Sequence, residues 1–209
     1  MKIAIFTETY FPFISGVVTH IETLKNCLEA EGHKVLIVTT NPKFKHHVVK
    51  NGVLYCPSIP LKKIYGYGIA NPVHSKRLEI LRQFDPDIIH LHTEFSMGLF
   101  ALFAAKRLKK PTVYTLHTMY DDYMFYVAPK RFEKAIKPAA HVFFRKVANH
   151  TTEIIGPSPK VVEFLRRCGV NRHINIVPNT IDLSAFMPEN QTSEAIAAAK
   201  KDLGITPED

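Results

Sequence analysis

The sequence predicts an α/β protein built on a Rossmann-like, doubly wound, mostly parallel sheet. Three observations carry that expectation. Short, nearly continuous apolar runs rich in β-branched residues recur along the chain, the pattern of strands buried on both faces. Segments with helical spacing lie between them, and this alternation implies right-handed crossovers that cover the sheet. The 209 residues are 46% hydrophobic and 22% charged, an ordinary globular composition with enough apolar material for a core.

The elements follow in order. A first strand at residues 3–6 enters a loop holding Tyr10, Phe11, Pro12, Phe13 and Gly16. The helix after it places Val17, Ile21, Leu24 and Leu28 on one stripe, and Gly32 stands where a C-terminal cap belongs. Further strands are expected at 35–39, 53–56, 88–91, 112–116, 154–155 and 174–177, and helices at 73–84, 95–108, 129–148 and 158–168. Beyond Pro178 the pattern changes to a turn-rich stretch, a polar segment and a helix-like run at 193–203 closed by Gly204. Residues 1–178 are therefore expected to form one domain, and 179–209 a connector with the start of a second, missing unit.

A formal charge of +8 and a pI near 9.3 imply an anionic partner: nucleic acid, an acidic membrane surface or a phosphorylated substrate. Basic residues concentrate at Lys43, Lys45, His46 and His47 and again at Lys130, Arg131, Lys134, Lys137, Arg145 and Lys146, where Glu133 is the only acid. The second run reads either as a solvated helix face or as a basic amphipathic helix in a membrane interface. In the latter, Ile136, Val142, Phe143 and Val147 supply the apolar side, Lys130, Arg131, Lys134 and Lys137 meet anionic lipid, and Pro138 kinks or divides the helix. A phosphate- or nucleic-acid-binding module is the alternative of a different class. It needs aromatics interleaved on an exposed basic face, and Phe143 and Phe144 read more simply as the core side of a helix.

No secretory signal opens the chain, and the longest apolar stretch, 97–105, falls far short of the roughly 20 residues a membrane span needs. Cys27, Cys56 and Cys168 are scattered, odd in number and without metal-ligand spacing. A cytoplasmic location is expected.

In an open α/β sheet, ligands bind beyond the carboxyl ends of the strands. Gly16 stands at a helix N-terminus there, where free N–H groups and an absent Cβ let a diphosphate approach the backbone. The same glycine also serves simply to ease a turn. Neither the dinucleotide fingerprint nor the P-loop motif is present. His90 and His92 occupy alternating positions at a strand end; one is expected to face the helix layer and the other, His92, the cleft.

Five ordered stretches then carry a resemblance. They are Thr7-Glu8-Thr9-Tyr10-Phe11-Pro12-Phe13-Ile14-Ser15-Gly16, Glu31-Gly32-His33-Lys34-Val35, Pro86-Asp87-Ile88-Ile89-His90-Leu91-His92-Thr93, Thr115-Leu116-His117-Thr118 and Val177-Pro178-Asn179-Thr180-Ile181-Asp182. Over essentially its whole length the chain resembles the amino-terminal half of a retaining GT-B glycosyltransferase of family 4, also called group 1. It departs where the family often has Gly-Gly, here Ser15-Gly16, and Asn-Gly, here Asn179-Thr180.

The resemblance implies an acceptor site in this domain and a nucleotide-sugar site mainly in a following one, with no metal or separate cofactor. It gives His117 the role of contacting the transferred sugar or the reacting centre, and Gly16 that of meeting the donor phosphates. The residues that hold the nucleotide sugar in this family belong to the other half, so the chain alone is expected to be inactive. Within the family, Thr118-Met119-Tyr120-Asp121-Asp122-Tyr123 is similar to a pattern of bacterial diacylglycerol glucosyltransferases. That likeness implies UDP-glucose as donor and a lipid hydroxyl as acceptor at the inner membrane surface, with no role for nucleic acid. The acceptor-side candidates are Tyr10, His92, Tyr120, Asp121 and Asp122, the two aspartates reading equally as a solvated loop that balances nearby lysines.

Overall fold

All seven strands expected from the apolar runs are present in the computed structural model, which describes residues 1–61, 67–122, 130–180 and 183–205. The chain runs β1 (Lys2–Thr7), α1 (Gly16–Ala30), β2 (Lys34–Thr40), β3 (Val48–Lys50), β4 (Val53–Cys56), β5 (Ile59–Leu61), β6 (Tyr67–Ile69), α2 (Ser75–Phe84) and β7 (Ile88–Leu91). It continues with α3 (Ser96–Leu108), β8 (Thr112–Thr115), a 3-10 turn (Tyr120–Asp122), α4 (Lys130–Asn149), β9 (Glu153–Gly156), α5 (Pro159–Arg167) and β10 (Asn175–Ile176). The chain divides into two compact units, Met1–Asn179 and Thr180–Asp209. In the second, two 3-10 turns precede α6 (Ser193–Asp202), whose first turn is capped by the Thr192 hydroxyl accepting from Ala195 N–H at 3.1 Å.

The main sheet has the order β10-β9-β8-β7-β1-β2-β4-β3, parallel throughout except for the edge strand β3. From β1 the chain steps outward to β2 and β4, then returns to the other side of β1 to lay down β7, β8, β9 and β10. The direction of winding reverses between β1 and β7, which makes the loops after those two strands the walls of the natural ligand crevice.

Burial explains why β1 is so apolar. Ala4 and Phe6 face one core with Leu91, Phe100, Tyr114 and Phe164, while Ile3 and Ile5 face the other with Val18 and Ile21 of α1. Every residue from Ile3 to Phe6 is thus enclosed, and complete burial of a side chain such as Phe6 stabilises the fold by about 2–3 kcal/mol. Helix α1 begins where the Ser15 hydroxyl accepts from Val18 N–H at 3.3 Å. It ends where Gly32, at φ +80°, lets His33 N–H reach Leu28 C=O at 3.0 Å.

Three short strands were not foreseen: β3, which pairs antiparallel to β4, and the β5–β6 hairpin. Each has three residues, too few for a period, and Pro60 interrupts β5. The expected division of the basic helix is not seen. Helix α4 is continuous through Pro138, and burial of the apolar face beyond it, Phe144, Val147 and Ala148, offsets the hydrogen bond and ring clash that an interior proline costs. Val147 is therefore a core residue rather than part of an interfacial face; of the four apolar candidates, Ile136 and Val142 are the exposed ones.

Candidate functional site

The loops after β1, β7 and β8 and the first turns of α1 and α3 meet at the carboxyl edge of the sheet. The β1 loop is fastened first. Glu8 N–H donates to Thr93 Oγ1 at 3.0 Å, and Thr40 Oγ1 donates to Glu8 C=O at 2.7 Å. The Glu8 carboxylate then reaches the start of α3, accepting from Met97 N–H at 2.7 Å and Ser96 Oγ at 2.8 Å. It thereby caps a helix that has no capping side chain of its own. Burial pushes the Glu8 pKa up to about 7 against those hydrogen bonds. Arg77, a buried residue of α2 with its guanidinium 4.5 Å from the Phe100 ring centroid, opposes that rise only weakly.

A consequence for stability follows from the sign of that shift. Between pH 4.5 and about 7 the folded state binds more protons at Glu8 than the unfolded chain, so stability falls as pH rises through this window and levels off above it. Glu8→Gln keeps an acceptor for Met97 N–H and removes the titration. Urea midpoints measured from about pH 5 to pH 8 should show a flatter profile for the variant, lacking a decline on the order of 1–3 kcal/mol. An unchanged slope would assign the pH dependence to other groups.

Glu94 is a second buried carboxylate. It accepts from Tyr114 Oη at 2.8 Å and Tyr120 Oη at 2.7 Å, and burial raises its pKa to about 7 as well.

Histidines form the centre of the site. His92 Nδ1 lies 2.8 Å from His117 Nε2, His90 Nε2 bonds Thr115 Oγ1 at 2.7 Å, and the His90 and His92 rings sit with centroids 4.0 Å apart, tilted by 39°. His20, from the second turn of α1, closes the group at 5.1 Å from the His117 ring centroid. Burial drives His90 and His117 down to about 3, with His92 well below its usual range and His20 also lowered, each shift favouring the neutral ring. The expected opposition of His90 and His92 is corrected here: residues two apart on a strand share a face, so both rings lie on the same side.

The candidates separate clearly. Gly16 opens α1 with free space where its Cβ would be, and His117 is half-buried at the end of β8. His92 is enclosed behind His117 and supports it rather than lining a cleft. Three acceptor-side candidates already have partners. Tyr10 is a core residue whose hydroxyl donates to Glu22, and Tyr120 stacks on Phe144 at 4.6 Å while bonding Glu94. Asp121 ties α4 and α5 to the loop after β8 through His141 at 2.8 Å, Lys137 at 3.2 Å and Arg167 at 3.6 Å. Burial raises its pKa, but those partners outweigh the effect and hold it below the usual carboxylate range. The side chains of Asp122, Lys130, Arg131 and Lys134 lie outside the described residues.

At the carboxyl ends of β1 and β2 a hollow of about 430 Å3 is lined by Tyr10, Pro12, Phe13, Pro42, Lys43 and Pro60 among others. A smaller hollow of about 230 Å3 lies at the opposite, amino ends of these strands, away from every loop described above.

Comparison with known proteins decides the family. The family model described as Glycosyltransferase Family 4 matches residues 14–185. The chain belongs to glycosyltransferase family 4. It is 37% identical over 98% of its length to the alpha-monoglucosyldiacylglycerol synthase of Acholeplasma laidlawii, and 36% identical to the enzyme of that name from Streptococcus pneumoniae. A GDP-mannose-dependent alpha-mannosyltransferase of Corynebacterium glutamicum is 27% identical over 82% of the chain. This family 4 chain spans about half the length of these relatives, covering 52%, 46% and 41% of each. Its fold matches a glycosyltransferase from Rickettsia africae at a TM-score of 0.61, over 98% of this chain and 50% of that one, at 16% identity. The catalytic domain of Arabidopsis thaliana starch synthase IV matches at 0.59, over 100% of this chain and 60% of that one, at 15% identity. The sheet is thus one half of a GT-B fold.

Proposed function

We propose that residues 1–178 form the acceptor-binding half of a retaining glucosyltransferase that moves glucose from UDP-glucose to a hydroxyl of diacylglycerol. The observation that carries this reading is the placement of a neutral, half-buried His117 at the end of β8, at the same sheet edge as the switch point and the open N-terminus of α1. The names of the two relatives above 35% identity supply the acceptor class. They also bear on stereochemistry: UDP-glucose is an α-glycoside, and an alpha-glucosyl product formed from it retains that configuration.

The chemistry asks little of this half beyond positioning and electrostatics. As the bond to the leaving group breaks, negative charge grows on the diphosphate, and the unpaired N–H groups beginning at Gly16 stabilise it. His117 exchanges its bond to His92 for one to the transferred sugar, and a neutral imidazole does this without adding charge to the pocket. Residues 179–209 lead toward a donor-binding half, and the 209-residue chain alone binds UDP-glucose weakly and transfers nothing.

The test joins this chain to the carboxy-terminal half of the A. laidlawii relative. The donor preference is then set by the added half, so the assay isolates acceptor choice. With UDP-glucose and diacylglycerol in mixed micelles the product should be a glucosyldiacylglycerol. Transfer only to water-soluble acceptors would reject the lipid reading.

A lipid acceptor also requires access to a bilayer. No helix among the described residues is long and apolar enough to cross one. The exposed Ile136 and Val142 together with the basic residues of α4 provide a peripheral alternative. Each basic residue at an anionic surface contributes about 1 kcal/mol; Lys137, paired with Asp121, contributes less. The chain should sediment with anionic vesicles at low salt, leave them as salt rises, and lose binding when Lys130, Arg131, Lys134 and Lys137 are changed to Glu. Equal partitioning to neutral vesicles, or indifference to the four changes, would leave α4 as a solvated face.

A further inference from the structure

Three elements bring His20, His92 and His117 together: the second turn of α1, the end of β7 and the end of β8. One ring nitrogen of each lies within 4.8 Å of one ring nitrogen of each of the others. His92 Nδ1 and His117 Nε2 are already 2.8 Å apart. Each ring also keeps a nitrogen that is sealed from solvent and has no hydrogen-bond partner: Nδ1 of His20, Nε2 of His92 and Nδ1 of His117. His92 is only 2% exposed, so water does not compensate it.

The donor set selects the kind of ion. The neighbouring carboxylates are occupied, Glu8 by Ser96 and Met97 N–H and Glu94 by Tyr114 and Tyr120. His90 is held by Thr115. What remains is nitrogen only, which disfavours Mg2+ and Ca2+ and suits Zn2+ or its borderline-soft neighbours. Ligand nitrogens 2.0–2.1 Å from Zn2+ stand about 3.3 Å apart in a tetrahedron. The His92–His117 contact therefore has to open by roughly half an ångström and the His20 ring to close in, both movements of side chains.

We propose that His20, His92 and His117 form a three-nitrogen site for Zn2+ or a similar divalent transition ion, with a fourth position left for water or a substrate oxygen. The inference goes beyond the glycosyl-transfer reading and does not depend on it. Where both hold, the bound ion occupies His117 and inhibits transfer.

Co2+ is the probe, because its visible absorption reports coordination number. The exposed Cys27 is first changed to Ser to silence a competing thiol, and the His47–His74 pair, with ring centroids 4.4 Å apart, is removed in a control by His47→Ala. The 209-residue chain should take up one Co2+ with the strong visible bands of a four-coordinate site, and Zn2+ should abolish them. Both His20→Ala and His20→Gln, checked for folding by circular dichroism, should weaken Zn2+ binding at least about 10–100-fold, whereas His47→Ala should not. Absence of four-coordinate bands in the wild-type chain, or bands that survive in whichever His20 variant folds, would overturn the site.

Discussion

Alanine at Gly98 is expected to destabilise the first unit by about 2–4 kcal/mol, far more than the loss of a helical glycine would suggest. On propensity alone the change should be favourable, since alanine is the better helix former by up to about 1 kcal/mol. Geometry decides otherwise. A Cβ at Gly98 would lie 2.1 Å from the Thr93 carbonyl oxygen and 3.0 Å from its carbon, so backbone rather than a flexible side chain must move. Thr93 adjoins His92, and its hydroxyl accepts from Glu8 N–H, so the displacement also loosens the loop that holds both acidic and histidine networks. Urea denaturation of Gly98→Ala, with Gly16→Ala as comparison, measures the effect. Gly16 has nothing within 4 Å of the same added atom and should change stability by less than about 1 kcal/mol.

The two glycines show where sequence reasoning reaches and where it stops. Gly16 could be singled out because it opens a helix after the first strand, a position with a known physical use. Gly98 sits inside an apolar run, and nothing local reveals the carbonyl pressed against it. The same division holds for the sheet. Most of the seven principal strands are legible because burial on both faces forces continuous β-branched runs, whereas β3, β5 and β6 are three-residue stretches too short to carry a period.

At the candidate site, motif, strand-end and helix-start positions single out His117, His92 and Gly16, but not the residues packed against them. His20 falls on a helix where the visible signal is the apolar stripe of Val17, Ile21, Leu24 and Leu28, and no spacing rule links residues 20, 92 and 117. Tyr10, Tyr120 and Asp121 are acceptor-side candidates by motif, Asp121 reading equally as part of a solvated loop. Their bonds to Glu22, Glu94 and His141 are set by tertiary packing and leave no local signal in the sequence. Nothing local in the sequence marks Glu8 or Glu94 as buried, since acids are usually exposed; that both cap or accept within the core depends on Ser96, Met97, Tyr114 and Tyr120 arriving from other elements.

The largest functional effect is expected at His117. In the mechanism proposed above, its neutral ring contributes little to holding a ground-state sugar, and its bond strengthens as charge redistributes in the transition state. Loss of one such preorganised group costs about 10²–10³ in turnover. His117→Ala also leaves His92 Nδ1 without its 2.8 Å partner in a buried setting, a stability cost of about 1–3 kcal/mol that must be kept apart from catalysis. His117→Gln separates the two, because its amide can satisfy His92 while misplacing the group that meets the sugar. A merely structural histidine would be restored by Gln in stability and activity alike, whereas a catalytic one is restored in stability only.

Steady-state kinetics of the joined enzyme, wild type against His117→Ala, with UDP-glucose varied at saturating diacylglycerol, therefore tests the central claim. The account predicts kcat reduced by about 10²–10³ with the donor KM changed less than about threefold, which marks an interaction made in the transition state. A variant that keeps wild-type kcat, or loses activity only through a raised KM, would place the reacting centre away from His117 and contradict it.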